Sequence, residues 1–175
     1  MKTQKIMDNQ QETSIAWLAG ILDGEGWIGF NVRRKHHTER GKVKPHVLPW
    51  ITVQSTTFEL VEKCVIVCSS IGIESTLGKP NHVTKANKPV WAWHLAGSKR
   101  VGALLPLVLP HLTCKRKAAE NVLAFIGSRL SKSRVKTYTE QEWSFVQATR
   151  EGSSETTREA PSQRDEDIVR LPSKD

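Results

Sequence analysis

The sequence lacks the features that would assign it to the secreted or membrane proteins. Its 175 residues include three cysteines, an odd number without paired CxxC units, which argues against a disulfide framework and against a zinc ribbon. No apolar run approaches the roughly 20 residues that cross a bilayer, and the N-terminus has no apolar signal-peptide core. We therefore expect a soluble intracellular protein without a membrane partner, in the cytoplasm of a prokaryote or inside an organelle.

Two of the cysteines, Cys64 and Cys68, lie four residues apart on a predicted amphipathic helix. That spacing could let two thiolates share a metal ion, but it also places both side chains on the buried stripe of the helix. We interpret them as core residues.

Acidic residues are scarce in most of the chain. Residues 1–134 contain 20 Lys and Arg against 9 Asp and Glu, a net +11, whereas residues 135–175 contain 6 against 9, a net −3. This segregated positive charge predicts a polyanionic partner for the first part of the chain. Length and composition indicate one domain over residues 1–150, followed by a polar, flexible tail over residues 151–175.

Residues 14–26 combine two different helix faces and end in two acids. Apolar residues recur at helical spacing on one face: Ile15, Leu18, Ile21 and Leu22. Small residues recur at every fourth position on another face: Ala16, Gly20 and Gly24. Because each glycine inside a soluble helix costs about 1 kcal/mol, we expect the small face to serve a close helix–helix contact. The acids Asp23 and Glu25 then precede a β-like run.

Residues 18–26, Leu-Ala-Gly-Ile-Leu-Asp-Gly-Glu-Gly, resemble the motif of the LAGLIDADG homing endonucleases. Glu25 stands where the commonest form of the motif has aspartate. In that family the helix forms the core of a dimer or pseudo-dimer, and the last acid of the motif binds a divalent metal that cleaves DNA. The resemblance extends to about Leu130. From the spacing alone, an ordinary buried helix with a glycine C-cap is the alternative interpretation.

Alternating apolar and polar residues predict two β-hairpins separated by a helix. The first hairpin is expected over residues 27–36 and 46–54, and the second over residues 75–96. Helix starts are predicted at Thr13 or Ser14, at Thr56 with Glu59, at Ser98, and at Thr139 with Glu142. The order α-β-β-α-β-β-α, with a further helical segment, predicts an α+β fold in which helices pack on one face of an antiparallel four-stranded sheet. The resemblance implies the same half-domain, with a saddle-shaped sheet.

Three local features add structural predictions. Pro45 and Pro49 in the second strand indicate a bulge or a sheet edge. Trp91 and Trp93 are interpreted as core residues rather than as a stacking platform. Residues 115–117 are three cations in the first turn of a predicted helix, where the helix dipole disfavours positive charge, so we expect an anion nearby.

The polar face of the sheet is the expected DNA-binding surface, with a solvated basic face as the alternative interpretation. Alternation places Asn31, Arg33 and Lys35 opposite the apolar face of the first strand, where phosphate contacts would position a duplex. With the family resemblance, this predicts the following DNA-contacting residues: Gly29, Asn31, Arg33, Arg34, Lys35, His37, Arg40, Trp50, Thr52, Lys79, Asn81, His94, Lys115 and Arg116.

The resemblance also implies the catalytic groups. Glu25, with the backbone carbonyl of Gly24, would hold Mg²⁺ beside a scissile phosphate, and such a sparse protein ligand set suits this ion. Lys115 would offset charge on the phosphorane, and Gln54 would position solvent, with Thr57 as an alternative for the glutamine position. Mn²⁺ is expected to substitute, whereas Ca²⁺ is expected to support binding without efficient cleavage. The implied products carry short 3′ overhangs.

A single motif supplies one catalytic carboxylate, whereas cutting both DNA strands requires two. Residues 94–99 begin like a second motif, but no acid follows at the required place. The resemblance therefore implies a homodimer that recognises a roughly palindromic target. The predicted interface consists of Ala16, Leu18, Gly20, Ile21 and Gly24.

Two other functions remain open. A maturase-like protein that binds its own intron RNA would need a similar basic sheet. A DNA-binding regulator could keep the fold without catalysis, although the acid Glu25 between two glycines argues against it.

Overall fold

The computed structural model describes residues 2–36, 43–83, 88–131 and 137–154. Within these ranges the helices are α1 (Lys2–Gly24), α2 (Phe58–Ser70), α3 (Ser98–Val108), α4 (Arg116–Leu130) and α5 (Glu140–Ser154). The strands are β1 (Gly26–His36), β2 (Val43–Ser55), β3 (Thr76–Val83) and β4 (Pro89–Ala96), and a short 3₁₀ turn covers Leu109–His111. No helix in these ranges has the length and apolarity that crossing a bilayer demands.

The four strands form one antiparallel sheet in the order β1-β2-β4-β3. Two hairpins, β1–β2 and β3–β4, are joined by pairing of β2 with β4, and the helices pack against one face. The predicted α+β fold and its hairpins are thus confirmed. One row across the sheet is Trp27, Thr52, His94 and Thr76, in paired register.

Alternation along the strands separates a buried face from an outer face, as predicted. Ile28, Ile51, Trp93 and Leu95 on the helix-covered face are all almost completely buried. Trp93 is therefore a core residue, and Trp91 packs edge-on against Phe58 of α2 on the same side. Burial of the apolar face is the main source of stability for such a sheet.

Cys64 and Cys68 belong to the same core. Both side chains are completely buried on α2. Burial raises the pKa of each thiol to about 12, with the neighbouring Cys68 a further cause at Cys64. Their complete burial confirms core packing, and both thiols remain neutral near pH 7.

The prolines of β2 lie where the strand is a local edge. The pairing of β2 with β1 runs through both prolines without a shift, whereas its pairing with β4 begins only at Trp50. Val47, midway between Pro45 and Pro49, directs its N–H away from β1 to the Tyr138 hydroxyl, 3.0 Å away. An N–H group at position 45 or 49 would also point away from β1. The absence of an N–H group at the two prolines therefore removes no hydrogen bond between β1 and β2.

The predicted caps of α1, α2 and α3 are wrong. Ser98 is the first residue of α3, and Gly97 is its N-cap. Helix α1 begins eleven or more residues before the predicted caps: the hydroxyls of Thr13 and Ser14 donate to the carbonyls of Asn9 and Gln10 inside the helix. Helix α2 has Thr57 rather than Thr56 at its N-cap, without a side-chain capping bond. Ser and Thr satisfy their hydroxyls equally well within a helix and at its start, so composition alone did not separate the two.

The capping box at α5 is confirmed. Glu142 accepts the Thr139 N–H at 2.8 Å, and its own N–H donates to the Thr139 hydroxyl at 3.2 Å. Its other carboxylate oxygen accepts from Ser128 on α4, so the fully buried Glu142 ties the two helices together. The proposed tail boundary at residue 150 falls within α5, and residues 155–175 lie outside the described ranges.

Candidate active site and nucleic-acid interface

The junction between α1 and β1 projects Glu25 outward. The Glu25 N–H still donates to the Ile21 carbonyl at 2.8 Å, and the strand begins at the next residue. A Cβ at Gly26 would lie 2.7 Å from Leu22 Cα, so only glycine lets the chain turn this tightly from helix to strand. The Glu25 side chain is exposed, and no hydrogen bond or ion pair joins its carboxylate to another described residue.

Asp23, the other acid of the motif, has a structural role that the sequence did not reveal. Its carboxylate accepts three backbone N–H groups just before α4: Thr113 at 2.6 Å, Lys115 at 2.9 Å and Cys114 at 3.3 Å. Asp23 is therefore the anion expected near the cations at the start of α4. Its oxygens are occupied by these amides, which leaves Glu25 as the free acid of the pair.

Lys115 also connects the end of α1 to the start of α4, here as the donor. Its ammonium donates to the carbonyls of Leu22 and Asp23, at 2.7 and 2.8 Å, and so caps the C-terminus of α1. Burial lowers the pKa of the amine, while the nearby carboxylates of Asp23 and Glu25 oppose that shift. A cation thus lies beside Glu25 without neutralising it through a direct bond.

The register of the first hairpin brings Gln54 towards Glu25. Gly26 pairs with Val53, so Glu25 immediately precedes β1 at the point where Gln54 continues β2. Gln54 is exposed, as a solvent-positioning amide would need to be. Thr57, the alternative, lies three residues further along at the N-cap of α2.

The small-residue face of α1 is open within the chain. Gly20 and Gly24 are exposed, and a Cβ added to either would meet no described atom within 4 Å. Ala16 and Ile21 are half-buried beside them. Leu18 is 0% exposed and belongs to the chain's own core, so its predicted place in a dimer interface is corrected.

The outer face of the sheet carries a fixed polar pair next to an aromatic ring. The Thr52 hydroxyl donates its single proton to the Trp93 carbonyl at 2.9 Å, so His94 Nδ1, 3.1 Å from the same oxygen, must be the donor to it. Burial lowers the pKa of His94. Its neutral ring therefore presents Nε2 as an acceptor, with the Trp50 ring 5.2 Å away.

Gly29 is buried, and the ring of Trp27 covers it. A Cβ at Gly29 would lie 2.7 Å from Trp27 Cζ2, so the indole occupies the space of the missing side chain. The predicted direct DNA contact of Gly29 is corrected, because Trp27 is the residue presented there. Strand alternation, which puts residues 27 and 29 on one face, was the signal for this contact.

A cleft of about 420 Å³ opens beside this indole. Besides Trp27 it is lined by Asn31, Trp50 and Thr52, by Phe30 and Val32, and by Arg150 of α5. Asn31, Trp50 and Thr52 were predicted as DNA-contacting residues, whereas Trp27 and Arg150 were not. Arg150, on α5, lies 100 residues after Trp50 in the chain, and no local pattern connects the two.

The remaining predicted contacts have less defined positions. Arg33, Arg34 and Lys35 lie on β1, paired with residues 44–46 of β2, and the structure describes their backbone only. Lys79 and Asn81 lie on β3 within a register shift between Gly78 and His82, which breaks simple alternation. His37 and Arg40 are outside the described residues. Arg116 is exposed and donates to the Pro110 carbonyl at 3.2 Å.

The protein donors near Glu25 suit a magnesium ion shared with other ligands. Among the described residues no cluster of three or more His, Cys, Asp or Glu side chains forms, so a closed protein cage is absent there. An exposed carboxylate and the adjacent carbonyl of Gly24, the last residue of α1, are hard oxygen donors. Mg²⁺ accepts such a small set when waters and phosphate oxygens complete its shell.

Comparison with known proteins connects this geometry to a family fold. No protein-family model and no curated protein matches the sequence. Among solved structures, the homing endonuclease I-CvuI, in complex with the I-CreI target, has a TM-score of 0.60 at 18% identity over 88% of each chain. The archaeal intron-encoded homing endonuclease I-Vdi141I, complexed with DNA, has a TM-score of 0.62 at 11% identity over 90% of this chain and 92% of its own.

A third solved structure matches this chain over about half of that structure's own length. The LAGLIDADG homing endonuclease I-SmaMI, bound to cleaved DNA, has a TM-score of 0.59 at 14% identity, over 89% of this chain but 47% of its own. Likeness at these identities concerns the fold. The chain therefore has the fold of the LAGLIDADG homing endonucleases, at the size of one half-domain.

Proposed function

We propose that this chain is one subunit of a homodimeric, divalent-metal-dependent DNA endonuclease. The observation that carries the proposal is Glu25: an exposed carboxylate projected by a glycine-bounded turn beside Lys115 and the open face of α1. Folding of the single chain uses Asp23, not Glu25, so the second acid requires another role. The fold shared with DNA-bound endonucleases supports phosphodiester hydrolysis as that role.

In the proposed reaction Glu25 and the Gly24 carbonyl would hold Mg²⁺. The ion would supply an activated water and charge stabilisation for the leaving oxygen. Lys115 places a positive charge at the same junction, where it offsets charge on the phosphorane. Gln54, one register step from the Gly26–Val53 pair, orients solvent for in-line attack.

The proposed dimer forms through the small-residue face of α1, with Ala16, Gly20, Ile21 and Gly24 at the contact. Close approach of two copies would bring both Glu25 carboxylates towards one axis, giving one cut in each strand. The match to half the length of I-SmaMI, alongside full-length matches to two other endonucleases, supports a chain that carries one site. A two-fold dimer would recognise a roughly palindromic target.

The outer face of the sheet is the proposed DNA-binding surface. Asn31, Trp50, Thr52 and His94 lie on it, and the strand ends add cations that are suited to phosphate contacts. The further proposed contacts are Arg33, Arg34, Lys35, His37, Arg40, Lys79, Asn81, Lys115 and Arg116.

The test is cleavage of a randomised duplex library with Mg²⁺, followed by sequencing of the cut ends. We expect a roughly palindromic target and short 3′ overhangs, with Mn²⁺ also supporting cleavage. Ca²⁺ should support binding with little cutting, and chelation should stop cleavage. Selective duplex binding without any cleavage would contradict the enzyme proposal and support a regulator.

A parallel library of structured RNA separates nuclease from maturase-like binding. The two libraries should be offered at the same salt concentration, because backbone binding alone is strongly salt-dependent. Tighter selective binding to RNA than to every duplex would overturn the proposal in favour of an RNA-binding protein.

A further inference from the structure

The outer face of the sheet carries an aromatic surface that chain stability does not explain. Trp27 and Trp50 are both half-buried on the face away from the helices. Gly29, which lies under the Trp27 indole, pairs directly with Trp50 on the next strand. Two large rings are therefore side by side on this face of the sheet, where exposed apolar area is otherwise disfavoured.

From this arrangement we infer that the Trp27–Trp50 cleft reads a T·A base pair in the major groove, with the Trp27 indole packed against the thymine 5-methyl group. The inference rests on the proposed DNA-binding function and deepens it. It assigns sequence discrimination to Trp27, two residues after Glu25. The base pair that it reads would accordingly lie close to the scissile phosphate.

The lining of the cleft matches the edge of that base pair. In the major groove thymine presents an apolar methyl group beside the O4 acceptor, while its adenine partner presents N7 and the N6 amino group. The indoles provide the apolar contact that the thymine methyl group requires. Arg150 also lines the cleft.

The position of the Trp27 indole depends on the absence of a side chain at Gly29. Any side chain at this position would strike the indole, because even a Cβ lies 2.7 Å from Cζ2 and 2.9 Å from Cη2. The ring therefore covers the strand instead of projecting from it. A duplex lying over the sheet presents base edges rather than base faces, so this covering ring suits a methyl contact better than stacking.

The test removes single methyl groups from the DNA. In the target selected by the wild-type protein, each thymine is replaced in turn by deoxyuridine, and binding is measured with Ca²⁺ at fixed salt. We expect about fourfold weaker binding at one thymine in each half-site, the change that corresponds to burial of one methyl-sized group. Other thymine positions should change less.

Protein variants then assign the methyl effect to this cleft. Trp27→Ala should bind the thymine target more weakly and lose the thymine–deoxyuridine difference at that position. Gly29→Ala keeps the indole but displaces it, and should reduce the same difference. Trp91→Phe is the matched control, since Trp91 lies on the helix-covered face, and it should keep the fourfold ratio. Circular dichroism and thermal melting establish that each variant is folded.

If Trp27→Ala is unfolded, Trp27→Phe and Gly29→Ala carry the test. A wild type that binds and cuts DNA but is indifferent to every thymine-to-deoxyuridine change would overturn this inference alone. So would a folded Trp27→Ala variant that keeps the fourfold ratio. Absence of any selective duplex binding would overturn the proposed function together with it.

Discussion

The two sides of α1 differ in burial and in the hydrogen bonds that they make within the chain. On one side Leu18 and Leu22 are fully buried, and Asp23 is bound by three backbone amides of the segment before α4. On the other side Gly20 and Gly24 face open space, and Glu25 has no bond to a described residue. The buried side of the helix, with Leu18, Leu22 and Asp23, is its closed side, and the exposed side, with Gly20, Gly24 and Glu25, is its open side.

The open side carries an energetic penalty within the single chain. Gly20, inside the helix, destabilises it by about 1 kcal/mol relative to alanine, and there is room for a Cβ at this position. A chain that acted alone would gain stability from alanine at Gly20. The penalty is explained if a second backbone approaches closely, as the proposed dimer requires.

Glu25→Gln, on the open side of α1, is the substitution with the largest expected effect on cleavage. The substitution keeps size but removes the charge that would hold the metal, so cleavage should fall at least about 100-fold. Folding and duplex binding should be nearly unchanged, because the carboxylate is exposed and unpaired. Cleavage rates on the selected target, with melting and binding measured on the same preparations, check this. Glu25→Asp is the control and should retain part of the activity.

Gly20→Leu, also on the open side of α1, tests whether this side forms the proposed dimer. A leucine at a close helix–helix contact would overpack it, and we expect self-association to weaken about 10- to 100-fold. Sedimentation velocity over a concentration series measures the change. Leu130→Ala is a suitable control, since Leu130 is 70% exposed on α4 and outside the proposed contact. A Gly20→Leu protein that remains a dimer of unchanged mass would exclude this face as the interface.

Local pattern predicted the fold well and long-range polar contacts poorly. The sheet followed from alternation, because burial of one face imposes a two-residue period on every strand. The partners of Asp23 could not be predicted, since they lie about 90 residues away and are backbone amides, which every sequence possesses. The cations at residues 115–117 did indicate an anion, although not which one.

The sequence also did not predict the orientation of single side chains. Alternation alone puts Gly29 and Trp27 on one face, but only the three-dimensional structure places the indole over the glycine. Leu18 shows the same limit on α1: its helical position was compatible with the core and with an interface, and the angle at which α1 packs decided for the core.

Asp23→Ala tests the closed side of α1. Removing the carboxylate leaves three N–H groups without their acceptor, and we expect the free energy of unfolding to fall by about 2 kcal/mol. Chemical denaturation measures the loss. Asp23→Asn keeps one amide oxygen as an acceptor and should lose less. A fully stable Asp23→Ala protein whose cleavage alone is abolished would instead make Asp23 part of the chemistry.

Lys115 lies between the two sides, and its substitution has the smallest expected effect on stability. Its ammonium bonds the carbonyls of Leu22 and Asp23 on the closed side, yet it also lies near the exposed Glu25. Lys115→Met keeps much of the side chain's length but removes these bonds, so we expect about 1 kcal/mol less stability. A role confined to folding predicts that cleavage, measured per folded dimer at saturating Mg²⁺, matches the wild type. The proposed role at the phosphorane predicts a further fall in that rate when DNA is also saturating. Because the two readouts are independent, a stability loss without a rate loss would assign Lys115 to the closed side alone.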